Sequence, residues 1–236
     1  MPVKPGVLTV ATAFLPAPGF WEGTPPTNGF EARLALALAQ HLGLQRVEVV
    51  QVPFAKIITG HLGGADIAMS QLTPTKEREH DLDFTTPYAS SAPGILALRA
   101  VDATDVQGLR ELRWVVSRTS TLTPIVEDRI RPTRAPDVVE DRTAALDALR
   151  PGNAEALMLD LPVAAGLAHA DPGRFHVIGQ LSGGEGLAVA LPDGSPNLEI
   201  VDSAIRALQA DGTIDHLQTR WLGEGLEDVP LILTED

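Results

Sequence analysis

The sequence predicts an α/β fold. Three observations carry that reading. Short strand-like runs, at 7–11 (rich in β-branched residues), 47–52 and 65–69 (apolar but for Asp66), alternate with stretches of helical character. The connections between them are short, and alternating βα order with short loops implies a parallel sheet with helices on both faces. At 236 residues and 44% hydrophobic composition, the chain suits one large or two modest domains, ample for a real core.

Each element has its own signal. Residues 7–11 read as the first strand. Residues 13–27 follow, full of proline and glycine and holding Phe14, Phe20 and Trp21. So many breakers exclude regular structure, so these aromatics face solvent or a cleft. Gly29-Phe30-Glu31 opens a strong helix over 32–42, which Gly43 ends as the residue just past its C-terminus. A strand at 47–52, a short helix at 54–62 closed by Gly63-Gly64, and a strand at 65–69 complete this part. Ligands of such sheets sit beyond the carboxyl ends of the strands. The loop after Ala11, Phe54 and residues 70–78 therefore share one rim.

Residues 94–99 form an apolar strand, after which the composition changes. A helix over 102–112 and a strand over 113–116 lead into Ser117-Arg118-Thr119-Ser120-Thr121-Leu122-Thr123-Pro124. Thr123 before Pro124 reads as the cap and first residue of a helix with several hydroxyls at its positive end. Strands at 137–139, 155–160 and 175–179 enclose helices at 141–149 and after Asp160. A turn at 183–186 enters a strand at 187–191, and helices at 197–209 and 211–223 follow.

The totals exclude several functions. A net charge of −13 argues against a nucleic-acid or anionic-membrane surface. The absence of cysteine excludes disulfides, thiolate metal sites and cysteine nucleophiles. No apolar run approaches the roughly 20 residues needed to span a bilayer. There is no nucleophile elbow, no phosphate-binding Gly-Lys loop and no cluster of metal ligands, so neither metal nor cofactor is expected. No secretory leader precedes the first strand; if the protein is exported, leader and any lipid-anchor cysteine have been trimmed away.

The chemistry concentrates after the third strand. The apolar run stops at Ser70, and Thr73-Pro74-Thr75 sets two hydroxyls around a proline. Thr75 suits the cap of a short turn carrying Lys76, Glu77 and Arg78. A strand ending in hydroxyls, free N–H groups and an arginine fork can hold a carboxylate; a surface turn with a solvated arginine is the plainer alternative. Ser120 and Thr121 form a second candidate anion cradle, set against ordinary capping. Asp160 ends a buried strand before a helix, as a cap or as a ligand group.

The stretch Thr73-Pro74, Arg78 and Asp83-Phe84-Thr85-Thr86-Pro87-Tyr88 resembles the signature of the extracytoplasmic solute-binding proteins of amino-acid ABC transporters, the polar amino-acid family. The likeness spans residues 6–223, through the Gly-Phe-acidic helix start and the closing Arg220-Trp221-Leu222-Gly223. It implies a two-lobed periplasmic-binding-protein-like fold of type II, each lobe a mainly parallel sheet flanked by helices, joined by a two-strand hinge. Lobe 1 would hold residues 1–98 and 190–236, and lobe 2 residues 99–189. Residues 224–236 lie beyond the family's common core and receive no role.

The resemblance also implies a mechanism. Hinged lobes close around a free amino acid in the cleft between them and deliver it, as an extracytoplasmic monomer, periplasmic or lipid-anchored, to the membrane permease of an ABC transporter. Arg78, Thr73 and the hydroxyls of Ser120 and Thr121 would hold the carboxylate, with Ser70 on the same rim, and Asp160 would take the ammonium. Phe54 with Phe14 or Trp21 would cover the aliphatic part. Thr119 stands where the family usually has glycine. The family's binders of basic amino acids place an acid after the first strand; this chain has Ala13 there, and Gln71 could read an amide or hydroxyl. A neutral or polar, glutamine-like ligand is the expectation. The competing readings are an enzyme resembling cyclohexadienyl/arogenate dehydratase, with Glu155, Asp160 or Glu185 as its acid, and the sensor domain of a receptor.

Overall fold

The computed structural model describes residues 2–222 and 226–234. Gly223, at the end of the predicted closing helix, lies outside the described residues. The chain opens with β1 (Val7–Thr12), α1 (Phe30–His41), β2 (Arg46–Gln51), α2 (Phe54–Ile57), β3 (Ile67–Ala68), β4 (Leu82–Phe84) and β5 (Ala89–Ser91). Next come β6 (Pro93–Leu98), α3 (Val106–Glu111), β7 (Trp114–Ser117), α4 (Thr123–Ile125) and β8 (Asp137–Val139). The rest is α5 (Arg142–Ala148), β9 (Ala156–Asp160), α6 (Leu161–Ala170), β10 (Phe175–Leu181), β11 (Glu185–Leu187), β12 (Ala190–Pro192), α7 (Leu198–Ala210), α8 (Thr213–Leu222) and β13 (Leu231–Ile232).

Two compact units result. The first comprises Met1–Leu15, Gly19–Ser90 and Glu185–Leu222; the second Pro16–Pro18, Ser91–Gly184 and Gly223–Asp236. The chain changes unit eight residues before the boundary expected at 98, because β6 hydrogen-bonds to β9 and β10. It returns at 185 rather than 190. The segments at the two passages, β5 and β11, pair as a small two-stranded sheet, where a flexible turn was expected at 183–186.

In the first unit the strand order is β2-β1-β3-β12-β4. β1 is central and buried along its whole length, which is why Val-Leu-Thr-Val-Ala-Thr reads as a near-continuous apolar run. It pairs parallel with β2 and β3, so the loops after β1, β2 and β3 share one rim. α1 buries Phe30, Leu34 and Leu38, one helical stripe, and ends in a Schellman turn: Gly43 has φ +71° and Leu44 N–H donates to Ala39 O at 2.8 Å.

In the second unit the order is β13-β10-β6-β9-β7-β8. Its core joins Ile95, Trp114, Val126, Ile130, Met158 and Ile178. Both sheets are mixed, each built of parallel pairs plus one antiparallel strand on the passage between units. β12 is antiparallel to β3 and β4, and β6 to β9 and β10. Each is the strand by which the chain enters that sheet from the other unit, not from a βαβ crossover, so the crossover rule does not fix its direction. The tail acquires a role the sequence did not suggest. β13 adds to β10, and Arg129 holds Thr234 Oγ1 at 2.9 Å and Ser182 O at 2.8 Å, covering that edge of the sheet.

Candidate functional site

The site is built at the rim of the first unit's sheet. β1 ends at Thr12 and β3 at Ala68, and Ser70 joins the two ends by accepting from Ala13 N–H at 3.2 Å and from the Thr12 hydroxyl at 3.5 Å. Thr75 caps the next turn as expected, its Oγ1 accepting from Arg78 N–H at 3.2 Å. Arg78 is 7% exposed. Its Nη1 donates to Thr73 O at 2.9 Å, and its guanidinium carbon stands 5.6 Å from the centre of the Phe54 ring. The guanidinium is thus buried, aimed by a backbone carbonyl and backed by an aromatic face, rather than solvated at the surface. Phe54 is half-buried and packs against the cluster of Ile57, Leu72 and Leu82.

Behind this rim lies a group the sequence reading passed over. Glu31, in the first turn of α1, is wholly buried. Its Oε1 accepts from Gln71 N–H at 2.8 Å and the Tyr88 hydroxyl at 2.5 Å; its Oε2 accepts from Trp21 Nε1–H and Gln71 Nε2–H, both at 2.6 Å. Burial pushes its carboxyl above the ordinary glutamate value, against the pull of Tyr88, Gln71 and Trp21. The entry into α1 is fixed by Gly29, whose φ of +98° and ψ of 168° only glycine adopts readily; a Cβ there would lie 2.4 Å from Phe20 O. Phe30 and Glu31 N–H groups then donate to Gly19 O at 2.6 Å and Phe20 O at 3.1 Å, so the long loop satisfies the start of the helix.

Two expected ligand residues are therefore turned to Glu31. Trp21 gives its indole N–H to Glu31 and to Met69 O at 3.2 Å, and Phe14 packs edge-to-face on its ring at 6.2 Å. Gln71 sits at φ +50° with its amide nitrogen on Glu31 Oε2. Phe14 is 36% exposed, also at φ +50°. Arg78, Thr73, Ser70 and Phe54 stay together at the rim, as expected.

The second unit carries the other candidates. β7 and β9 are parallel, so Ser117 and Asp160 end at one rim of that sheet. Asp160 occupies the cap position of α6, and its side chain makes no capping hydrogen bond to that helix. Ser120 Oγ accepts from Leu122 N–H at 3.2 Å, and Thr119 Oγ1 lies 3.3 Å from Ser117 Oγ. Thr121 is half-buried. Thr123 proves not to be the cap: Leu122 holds that position, and the Thr123 hydroxyl donates to Ser117 O at 2.8 Å. Leu122 cannot cap through its side chain, and the following helix continues as a π-wound turn over Val126–Ile130.

The acids weighed for catalysis separate. Glu155 accepts from Arg113 N–H at 3.0 Å and ion-pairs with its guanidinium at 3.0 Å. Burial pushes its carboxyl up, but Arg113 holds it below the usual range, opposite to what a general acid needs. Glu185 Oε2 is buried without a hydrogen-bond partner among the described residues. Among the described residues no group of three or more acidic or histidine side chains could hold a metal, and no helix is long and apolar enough to cross a membrane.

Residues 9–224 match the bacterial extracellular solute-binding proteins, family 3. The L-cystine-binding protein TcyJ of Escherichia coli K12 is 26% identical over 199 residues, 83% of this chain and 74% of the relative. An ancestral arginine-binding protein solved with glutamine superposes with a TM-score of 0.80 at 26% identity, covering 94% of this chain and all of that one. An ancestral amino-acid-binding protein described as a precursor of cyclohexadienyl dehydratase gives 0.75 at 29% identity, covering 92% and 95%. The chain belongs to this family of solute-binding proteins, with the type II periplasmic-binding-protein fold, and is a binding protein rather than an enzyme.

Proposed function

We propose that this solute-binding protein captures a free α-amino acid outside the cytoplasm and delivers it, as a monomer, to the permease of an ABC transporter. The buried Arg78 guanidinium, held by Thr73 O and backed by Phe54, carries the reading. Arg78 takes the ligand carboxylate by paired charge-assisted hydrogen bonds, with the Thr73 hydroxyl beside it. In the second unit Asp160, which does not cap its helix, takes the α-ammonium, and Ser120 and Thr121 offer hydroxyls to the carboxylate. Relatives described as binding cystine, histidine, glutamine and arginine fit this class.

For the ligand's side chain, a neutral or polar group is favoured. Ala13 supplies no carboxylate after β1, and Glu31 is enclosed by its own donors and out of reach of a cationic side chain. Glutamine heads the candidates on that ground. The protein would work at the cell surface or in a periplasm.

A thermal-shift screen against the twenty amino acids and cystine tests the proposal. Binding to the folded form alone stabilises by about 2.7 kcal/mol at a hundredfold excess over Kd. The expected result is a large shift with one or a few amino acids, lost in Arg78→Ala and in Asp160→Ala. No shift with any of them would overturn the amino-acid reading; a shift only with arginine or lysine would overturn the neutral one.

A further inference from the structure

We infer that Glu31 is the positioning residue of the amino-acid site: its ionised carboxylate fixes, through Trp21, Gln71 and Tyr88, the two loops that present Phe14 and Arg78. The inference rests on the amino-acid reading and adds a residue that touches no ligand. Three otherwise separate segments meet on this one carboxylate: the irregular loop after β1 through Trp21, the loop after β3 through Gln71, and the segment after β4 through Tyr88. Gln71 begins the turn that ends in Arg78, and its φ of +50° is an uncommon conformation for a residue with a side chain. It is held there by two bonds to Glu31, from its backbone N–H and its own amide. Phe14, also at φ +50°, leans on the Trp21 ring whose N–H Glu31 accepts.

The protonation state follows from the donors. Each carboxylate oxygen accepts two hydrogens, and an ionised carboxylate is an acceptor only. A proton on Oε2, or an amide nitrogen in its place, sets a donor against the Trp21 indole N–H, which can only donate. Its hydrogen-bond partners are Trp21, Gln71 and Tyr88. Among the described residues no charged side chain bonds to it. Burial raises its carboxyl, so the folded protein takes up this proton at a higher pH than the unfolded chain does. This group's contribution to folding therefore grows as the pH falls, while its grip on the two loops is lost. Acid weakens binding through Glu31 without unfolding the protein through Glu31.

The experiment compares the wild-type chain with Glu31→Gln, using the amino acid that gives the largest thermal shift as ligand. The Trp21 indole N–H resonance of the ligand-free protein, assigned by Trp21→Phe, reports on Glu31 directly. The Trp114 indole, which donates to Leu109 O, is the control. The expected results are a Trp21 resonance that titrates above the ordinary glutamate range, with wild-type affinity falling over the same interval. Glu31→Gln should bind on the order of tenfold more weakly at neutral pH and show neither titration. Unchanged affinity in Glu31→Gln, or a Trp21 titration that affinity does not follow, would overturn the inference. If Glu31→Gln does not fold, the wild-type pH profiles decide alone. If the wild-type chain binds no amino acid, the proposed function fails, and a Trp21 resonance that does not titrate then overturns the Glu31 assignment independently.

Discussion

Replacing Arg78 by lysine separates charge from geometry at the proposed carboxylate receptor. Arginine offers five N–H donors in a planar fork, and Arg78 commits Nη1 to Thr73 O at 2.9 Å, which sets the plane of the guanidinium. Lysine keeps the charge and can still approach the Phe54 face, but it cannot hold the Thr73 carbonyl and also present two parallel donors. The variant thus loses at least one charge-assisted hydrogen bond to the ligand, about 1.5–3 kcal/mol. At about 1.4 kcal/mol per decade, that is roughly a tenfold to hundredfold rise in Kd. Calorimetric titration with the best amino acid from the screen, at fixed ionic strength, measures it, and thermal unfolding without ligand separates any loss of stability. A Kd within about twofold of wild type would show that Arg78 supplies only diffuse positive charge, and the bidentate argument would fall.

Three further outcomes are expected. Gly29→Ala forces a side chain into the glycine-only region with its Cβ 2.4 Å from a backbone oxygen, and should cost at least about 1–3 kcal/mol, read as a fall of several degrees in unfolding temperature. Asp160→Asn should abolish or strongly weaken the amino-acid thermal shift; a large loss of ligand-free stability without loss of binding would return Asp160 to a structural role. Asp202 is pushed up by burial but held below the usual range overall by Thr86 and Arg206. Its stabilising effect is present above the unfolded aspartate value and lost as pH falls through the native one, so Asp202→Asn should flatten the dependence of unfolding temperature on pH below about 4.

What could be read from the sequence divides along physical lines. Elements that bury a periodic stripe or a continuous run announce themselves, as with Phe30, Leu34 and Leu38 on α1 or the fully buried β1. The boundary between units was misplaced because β6 looks the same in sequence whichever sheet it joins; only its pairing with β9 and β10 decides. The same holds for the tail, whose Leu231–Ile232 is too short to signal a strand until β10 offers it an edge.

The site shows a sharper limit. Arg78, Thr73 and Ser70 were legible because a carboxylate receptor needs particular residue types close together in the chain, and the turn after β3 supplies them within nine positions. Gln71 lies inside that stretch and was drawn into the same reading, yet its partner is forty residues away on α1. Glu31 was legible only as an acid suited to the start of a helix, an electrostatic preference that any exposed glutamate would satisfy. What distinguishes it is that Trp21, Gln71 and Tyr88 converge on it from three loops, none closer than ten residues in sequence. Such convergence carries no local pattern. It can be inferred only in reverse: a long proline- and glycine-rich loop and a strained glutamine both need something to hold them, and in this fold a single buried carboxylate with four donors meets both needs.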